Sequence, residues 1–256
     1  MRKFVYTRDA FSVLAILGLI LATKGFIFWW WLLALVIAFS IILVFGATKI
    51  RWNYFITSLH HGDRKVKNIA LSFDDGPADF SSAILDILRN EKVSAAFFCI
   101  GKRAEEQPEI IQRYDAEGHL VGNHSFFHKN NFDLQNRIEM LGEMQMTNEA
   151  IERCIGKVPR LFRPPFGVTN PELSKALDRS FMTSIGWSLR SFDTSLKDPE
   201  KLLNRLLGKV QNSDIILLHD SVENTASVLA KFIQTCRQRG FTFVRLDELL
   251  NLKPYE

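Results

Sequence analysis

Residues 68–77 read NIALSFDDGP, an apolar run that ends abruptly in two acids, a glycine and a proline. A short apolar run bounded by turn residues is typical of a strand that is buried on both faces of a sheet. Asp74 and Asp75 therefore follow the carboxyl end of a predicted strand. In parallel α/β folds these strand ends meet on one face, where ligands bind. The position of the two acids predicts that they belong to a functional site.

The same alternation of short apolar runs and amphipathic segments continues along the chain. Strands are predicted at 68–73, 94–100, 119–122, 161–163, 182–187, 214–218 and 241–245. Helices are predicted at 81–90, 108–117, 134–155, 171–179, 199–209 and 226–239. Alternation at this spacing is typical of βαβ units. We therefore predict the α/β class, with a distorted (β/α) barrel of about seven parallel strands.

Further polar groups follow the other predicted strands. They are HSFFH at 124–128, RPPFG at 163–167, Asp193, and the pair His219-Asp220. Each of them alone has an ordinary interpretation as a turn, a rigid loop or a strand end. The spacing of His124 and His128 would place both imidazoles on one side of a helical turn. Two imidazoles and a carboxylate together are the three-ligand set of a catalytic zinc site with an open position.

The apolar residues are concentrated near the start of the chain, whose overall mean hydropathy is +0.01. Between residues 10 and 48 the only charged side chain is Lys24. Residues 25–46 would span about 33 Å as a helix, enough to cross the hydrocarbon core. Residues 10–23 are shorter, and would cross if Lys24 extends to the membrane surface and part of Phe4–Tyr6 joins the segment. We predict an N-terminal transmembrane helical hairpin, and favour it over a cleaved signal peptide because no small-residue cleavage site precedes a soluble start.

These observations divide the chain into a membrane anchor at 1–50, a linker at 51–66 that contains a polar connector at 52–64, and a catalytic domain at 67–252. Residues 1–51 carry six basic side chains and one acid, a net charge of +5. The whole chain carries +4, so that the remainder carries −1. A remainder near neutrality gives no basic face for nucleic acid. The three cysteines are odd in number and far apart, and we expect buried thiols.

Residues from about 67 to 250 resemble the polysaccharide deacetylase family, the NodB homology domain of carbohydrate esterase family four. LSFDDGP at 71–77 resembles the first motif of the family, HSFFH the second, RPPFG the third and ILLH at 216–219 the fifth. Ser72 replaces the usual Thr, and Phe166 a common Tyr. The fourth motif, often D-x-x-D-W, is RSFDT at 190–194, which keeps Asp193 but has Arg190 and Thr194 at the other two positions. The missing tryptophan commonly lines the substrate groove.

The resemblance implies a role for each matching residue. Asp75, His124 and His128 would hold one divalent metal, with zinc expected and cobalt or iron as alternatives. The metal would lower the pKa of its water to about 7. Asp74 would be the general base, pointed away from the ligands by strand alternation. The remaining roles are Arg163 orienting the base, His219 as general acid, Asp193 orienting that acid, the Phe166 backbone N–H as oxyanion donor, and Leu217 as a wall of the acetyl pocket.

The implied function is removal of N-acetyl groups from an acetylated amino sugar in peptidoglycan, a chitin-like oligosaccharide or a lipid-linked saccharide. Two alternatives remain open, a glycan O-acetyl esterase and a catalytically silent glycan-binding protein. The expected partners are that glycan and the lipid bilayer. The expected location is the bacterial cell membrane. The resemblance implies a domain outside the cytoplasm, because members of the family usually act there. For a two-helix hairpin, however, the positive-inside rule places the domain in the cytoplasm.

Overall fold

The computed structural model of the protein describes residues 1–256, apart from the side chain of Arg2. The α-helices α1 to α10 are, in chain order, Arg2–Thr23, Trp30–Thr48, Ser81–Glu91, Gly101–Glu106, Pro108–Ala116, Arg137–Ile155, Pro171–Ser180, Pro199–Lys209, Glu223–Gln238 and Leu246–Leu250. The strands β1 to β9 are Ser58–Leu59, Asn68–Gly76, Ala96–Cys99, Leu120–Asn123, Leu161–Phe162, Thr183–Ile185, Leu189–Arg190, Ile215–His219 and Thr242–Phe243. Short 3₁₀ turns lie at Ile50–Trp52, Phe132–Leu134 and Pro165–Gly167.

The strands form one parallel sheet in the order β1-β6-β5-β4-β3-β2-β8-β7, and β9 pairs with β2. The sheet curls into a half-barrel with helices on its outer face, which confirms the predicted α/β class. Two of its strands, β1 and β7, were not predicted. Each has only two residues, too few for an alternating pattern to be visible in the sequence.

The central strand β2 is apolar because helices cover one of its faces and the half-barrel interior covers the other. Leu71 and Phe73 pack on the helical side, where the Phe73 ring stacks on Phe97 at 5.0 Å. Ala70 packs in the interior with residues of the neighbouring strands. Towards the carboxyl end the same interior face becomes polar at Ser72 and Asp74, both of which are buried. The fold thus closes one end of the half-barrel with apolar side chains and leaves acids at the other end.

The segment after the two long helices differs from the predicted polar connector at 52–64. Tyr54, Phe55 and Ile56 are each 4% exposed or less and belong to a core cluster that also contains Phe162. Strand β1 follows and pairs with β6. Polar neighbours surround this apolar triplet in the sequence, and its burial depends on the surface that α7 and β5 provide. The segment is therefore part of the folded unit.

Helices α1 and α2 pack against each other, with the rings of Phe11 and Phe39 4.9 Å apart. Both are long and apolar enough to cross a membrane, over Lys3–Thr23 and Trp30–Thr48. The first is longer than the predicted 14-residue segment because its N-terminal polar turns remain helical. The ends away from the connecting turn touch the rest of the fold, since Lys3 Nζ donates to the Trp52 carbonyl at 2.7 Å.

Candidate active site

The two acids at the end of β2 face the same neighbour. Asp74 pairs in register with Phe98, and Gly76 pairs with Cys99, so that Asp75 is an extra residue with a left-handed φ of 71°. This bulge interrupts the alternation of side chains. As a result, Asp74 Oδ2 lies 3.8 Å and Asp75 Oδ1 3.5 Å from Nε2 of His124. The prediction that strand alternation separates the two acids is wrong.

The two histidines lie in a loop after β4 and not in a helical turn, so the predicted helical geometry is also wrong. Ser125 and His128 both have left-handed φ values, 64° and 50°. The Ser125 hydroxyl accepts a hydrogen bond from the His128 N–H at 3.1 Å and tightens the loop. The loop brings the rings of His124 and His128 to 4.7 Å from each other.

One carboxylate and two imidazoles converge at this loop. Oxygen and nitrogen atoms of Asp75, His124 and His128 all lie within 4.8 Å of one another. The distances from Asp75 Oδ1 to Nε2 of His124 and to Nε2 of His128 are both 3.5 Å. Nδ1 of His124 bonds the Arg163 carbonyl at 2.7 Å. A carbonyl only accepts, so Nδ1 carries the proton and, in the neutral ring, the lone pair of Nε2 is free to bind a metal.

The ionisation states in this cluster also suit a divalent metal. Burial, together with the neighbouring His124, lowers the pKa of His128 to about 4, so that His128 is neutral at pH 7. Burial acts to raise the pKa of Asp75, but His124 and His128 outweigh it and lower that pKa. Burial acts to lower the pKa of His124, but Asp74 and Asp75 raise it, so that a proton competes with a metal there. A neutral imidazole, an oriented imidazole and an ionised carboxylate fit a zinc-type donor set.

Arg163 holds the second acid in place. Its side chain is completely buried, and Nη1 donates to Asp74 Oδ1 at 2.7 Å and to the Ser72 hydroxyl at 2.9 Å. The other guanidinium nitrogens donate to the carbonyls of Ile185 and Gly186. The head group is therefore fixed by four hydrogen bonds, and its charge lies against one oxygen of Asp74.

A second pair, His219 with Asp193, lies at the ends of β8 and β7. Asp193 Oδ1 bonds Nδ1 of His219 at 2.8 Å, and Oδ2 accepts from the His219 backbone N–H at 2.7 Å and from Thr225 at 2.8 Å. Burial would lower the pKa of His219, but Asp193, together with the charges of Asp74 and Asp75, raises it to about 9. The imidazole is therefore positively charged at neutral pH.

The last two predicted residues lie beside these groups. Phe166 has a left-handed φ of 58° in the 3₁₀ turn after Arg163, and its half-exposed ring lies 4.7 Å from that of His128. Leu217 is buried two residues before His219 on β8, in register with Ser72. All the candidate residues are thus collected at one end of the half-barrel, with Leu217 one layer deeper in the sheet.

Sequence reasoning missed Glu143, which supports the histidine loop from helix α6. Its Oε2 accepts from the backbone N–H groups of Phe126 and Phe127, both at 3.1 Å, and its Oε1 accepts from Gln135 at 2.7 Å. The carboxylate is 5% exposed. The signal for it was an acid in the apolar stripe of an amphipathic helix, a position that requires hydrogen-bond partners.

Asp220 follows His219 directly, and the sequence motifs predict no role for it. Its Oδ2 accepts from Ser81 at 2.5 Å and from Tyr114 at 2.6 Å, and burial raises its pKa to about 6. A Cβ at Gly76 would lie 2.4 Å from the same oxygen. Glycine is therefore required at position 76, where the end of β2 passes directly over the buried acid.

Comparisons with known proteins agree with this arrangement. A family model described as polysaccharide deacetylase matches residues 61–183, a stretch that contains the two acids, both loop histidines and Arg163. A peptidoglycan-N-acetylglucosamine deacetylase of Bacillus cereus is 32% identical over 196 residues, which are 73% of this chain and 90% of that protein.

Solved structures show the same fold. A peptidoglycan N-acetylglucosamine deacetylase superimposes with a TM-score of 0.74 at 29% identity, covering 77% of this chain and 94% of the other. A pseudoenzyme of carbohydrate esterase family four from Bacillus anthracis superimposes with a TM-score of 0.71 at 27% identity, covering 75% and 68%. The fold thus occurs in active and in inactive relatives, and the residues of the site decide between these possibilities.

Proposed function

Because this chain belongs to the polysaccharide deacetylase family, we propose that it removes N-acetyl groups from an acetylated amino sugar of a glycan with the help of one divalent metal. The observation that carries the proposal is the juxtaposition described above. Three groups suited to a metal converge, and a fourth, Asp74, lies 3.8 Å from the central imidazole while a buried arginine fixes its other oxygen.

Asp75, His124 and His128 would hold the metal, and zinc is the ion that we propose. A histidine–histidine–carboxylate set also suits cobalt and iron, so that the donor set supports the charge and the class of the ion more than its identity. When bound, such an ion supplies a Lewis acid for the acetyl carbonyl and water of lowered pKa. The loop geometry held by Glu143 and by the Arg163 carbonyl keeps the two imidazoles oriented for it.

Asp74 is proposed as the general base that accepts the proton of the attacking water. The hydrogen bond from the charged Arg163 occupies Oδ1 and fixes the orientation of the carboxylate. Oδ2 faces the cluster and is free to accept a proton. An arginine suits this position because it stays charged while it is buried.

His219 is proposed as the general acid that protonates the departing amine. Its Nδ1 is bonded to Asp193, and Nε2 is left to deliver the proton. With a pKa of about 9 the proton is present at neutral pH. A general acid of this kind contributes about 10²–10⁴-fold to a rate.

The remaining assignments concern the acetyl group itself. The Phe166 backbone N–H is proposed to donate to the oxyanion, and a main-chain donor does not depend on the phenylalanine that replaces the common tyrosine. Leu217 is proposed as an apolar wall for the acetyl methyl group. The half-exposed ring of Phe166 beside His128 offers a face for a sugar ring.

Two substitutions test the metal and the base separately. We expect His124→Ala to lose bound metal, and Asp74→Asn to keep the metal and lose turnover by about 10²-fold or more. Metal content and acetate release are measured on purified full-length variants, with the exposed Asp79→Asn as matched control. Full activity in Asp74→Asn would refute its role as the base.

Two observations favour a second candidate function, a catalytically silent glycan-binding protein. The fourth motif has Arg190 and Thr194 at two of its usual positions, and a structural neighbour is a family pseudoenzyme. Acetate release from N-acetylated and O-acetylated oligosaccharides separates the possibilities. We expect release from the N-acetylated set. Release only from the O-acetylated set would indicate an esterase, and binding without release a silent protein.

We propose further that α1 and α2 anchor the protein in a bacterial cell membrane and that the catalytic domain faces the cell envelope. The length and composition of the two helices support the anchor. The peptidoglycan named as substrate of the Bacillus cereus relative supports an extracytoplasmic site.

A further inference from the structure

A cavity of about 760 Å³ lies where the end of helix α2 meets strand β7 and helix α8. Its lining is strongly basic. Six cationic side chains contribute to it, namely Lys49, Arg51, Arg64, Arg190, Arg205 and Lys209. Among the lining residues the only acid is Asp214, which is buried. The net formal charge of the lining is therefore +5, of which Lys49 and Arg51 contribute +2 and the residues beyond position 51 contribute +3.

Asp214, the only acid in the lining, is already paired with a basic side chain of the lining. Arg64 Nη1 lies 2.6 Å from Asp214 Oδ1, and Ser188 and the Gln211 N–H also donate to this carboxylate. Two other arginines are held by main-chain carbonyls, which orient a guanidinium without neutralising it. Arg51 donates to the Ser188 carbonyl at 3.0 Å, and Arg205 donates to the Ser191 carbonyl at 3.0 Å. The other five cationic side chains of the lining have no acid among the lining residues to neutralise them, so the cavity favours an anionic ligand.

The cavity opens at the level of a membrane surface. Thr48 and Lys49 line it, and Thr48 is the last residue of α2. Since α2 is apolar enough to span a bilayer, its end marks the headgroup region. An anion that enters this cavity is therefore one that lies at the polar edge of the lipid.

The cavity also adjoins the candidate active site. Trp187 lines it and packs against the loop that carries Phe166, where a Cβ at Gly167 would fall 2.3 Å from the indole. The guanidinium of Arg163 lies 5.8 Å from the same ring. Phe192, another lining residue, directly precedes Asp193. The Trp187 side chain therefore separates a ligand in the cavity from Arg163 and the other groups assigned to catalysis.

This location explains the departure of the fourth motif. Arg190 occupies the position of an acid in the family pattern, and its guanidinium lies over the rings of Phe192 at 5.0 Å and Trp187 at 5.9 Å. The replacement adds positive charge at the wall that separates the cavity from the catalytic end of the sheet. A carboxylate there would repel an anion.

We infer that this cavity binds the phosphate of a lipid-linked acetylated amino sugar, with the lipid chain in the bilayer and the sugar passing Trp187 to reach Asp74 and the metal-ligand cluster. The inference rests on the proposed function and names its substrate class. Several arginines suit a phosphate because the planar guanidinium bonds it through two N–H groups at once. Position at the end of α2 favours a phosphate that is attached to a lipid over a free one.

Three test compounds separate the sources of affinity for the full-length protein in nanodiscs. They are a polyprenyl phosphodiester of N-acetylglucosamine, the uncharged polyprenyl glycoside of the same sugar, and soluble N-acetylglucosamine 1-phosphate. We expect kcat/KM for the phosphodiester to exceed the values for both other compounds at least tenfold. Equal values for the phosphodiester and the uncharged glycoside would overturn the inference, and a soluble phosphate as good as the phosphodiester would overturn the lipid part.

A double variant that replaces two basic side chains of the cavity by acids tests whether these charges recognise the phosphate. In Arg190→Glu/Lys209→Glu we expect the ratio of kcat/KM for the phosphodiester to that for the uncharged glycoside to fall at least tenfold. The control is Lys231→Glu, an exposed lysine on helix α9, for which the ratio stays the same. A double variant that weakens binding to phosphatidylglycerol nanodiscs but keeps the ratio would show that the cavity only anchors the protein to anionic lipid, and would overturn the inference.

A binding measurement distinguishes failure of the inference from failure of the proposed function. Polyprenyl phosphate carries no sugar, and Trp52 and Trp187 line the cavity, so the change in tryptophan fluorescence that the double variant loses reports binding of this lipid in the cavity. Binding that the double variant loses, without acetate release from any acetylated glycan, would support the phosphate site and refute the deacetylase. Acetate release from neutral glycans without binding of polyprenyl phosphate would support the deacetylase and refute the phosphate site.

Discussion

At the scale of single residues, the site depends on one extra amino acid in strand β2. Asp75 occupies a left-handed conformation that Asp and Asn tolerate better than most residues. The bulge turns Asp75 to the same side as Asp74, so that one carboxylate can serve as a ligand and the other as a base. Two adjacent residues of a regular strand would point to opposite faces.

The proposed role of His219 as general acid predicts that the activity depends on pH. Since the pKa of His219 is raised to about 9, its proton is present below that pH and is lost as the pH rises through it. We therefore expect activity to fall above about pH 9. Asp193→Asn removes the largest of the charges that raise the pKa of His219. We expect the alkaline limb of the variant to move towards neutrality and its rate at pH 8 to drop at least tenfold.

The pH–rate profile of acetate release measures this effect. Asp178→Asn, at an exposed aspartate of helix α7, is the matched control and should keep the profile of the unmodified protein. An Asp193→Asn profile that coincides with it would contradict the assignment of His219 as the acid.

The sequence was sufficient to name most of the candidate residues but not to describe their local geometry. The continuous apolar run at 68–73 predicted a buried strand that ends at Asp74 and Asp75. It could not predict the bulge at Asp75 or the left-handed residues Ser125 and His128, because tertiary contacts impose these conformations. Glu143 was missed for a related reason, since its role depends on a loop of another element.

At the scale of secondary structure, helix α6 supports the loop that carries the two histidines. Without the Glu143 carboxylate, the N–H groups of Phe126 and Phe127 lose their acceptor. We therefore expect Glu143→Ala to weaken zinc affinity about 10–100-fold, the usual effect of removing a group that orients metal ligands. Competition with a chromogenic chelator measures it, and Glu149→Ala on the exposed side of the same helix is the control. Equal affinities in the two variants would argue against this supporting role.

The segment 54–59 makes a second prediction at this scale. Phe55 is 4% exposed and contacts the ring of Phe4 at 5.1 Å. We expect Phe55→Ala to lower the free energy of unfolding by about 3–5 kcal/mol. Phe181, which is 81% exposed, is the matched control, and its replacement by Ala should change stability by less than about 0.5 kcal/mol. Denaturant unfolding in detergent compares them. A Phe55→Ala variant as stable as the control would mean that the segment is the linker predicted from the sequence.

At the scale of the whole molecule, the two apolar helices are docked on the folded domain. The Ala47 carbonyl accepts from the Thr169 N–H at 3.0 Å, and a Cβ at Gly46 would lie 2.2 Å from the Tyr54 ring. Glycine at position 46 therefore permits the close approach of α2 to the domain. The contact holds the basic cavity and the catalytic end of the sheet at a fixed position relative to the ends of the helices.

This docking predicts the topology of the chain. Lys3 touches Trp52, so that the N-terminus and the domain lie on the same side of any membrane that α1 and α2 cross. Reporter enzymes fused before Met1 and after Glu256 should therefore report the same side. We expect the extracytoplasmic side, against the positive-inside rule, because the Bacillus cereus relative is named for a peptidoglycan substrate. Opposite sides would show that only one of the helices spans, and would contradict the hairpin.

The net charge of a long segment does not predict the local charge on the folded surface. A net charge of −1 outside the first 51 residues predicted no basic face. The fold nevertheless collects four cationic side chains of that part, Arg64, Arg190, Arg205 and Lys209, around one cavity, where Lys49 and Arg51 add to them. A sum over sequence positions contains no information about which positions become neighbours. The local field depends on those neighbours.

The most direct test of the account is to locate the metal. Crystals grown with zinc and measured on both sides of the zinc absorption edge should show one anomalous peak, about 2.0–2.2 Å from Nε2 of His124, Nε2 of His128 and a carboxylate oxygen of Asp75. Asp74 should stay beyond bonding distance and keep its hydrogen bond to Arg163. No peak at this position, or a peak bound by other residues while these three side chains stand apart, would contradict the account.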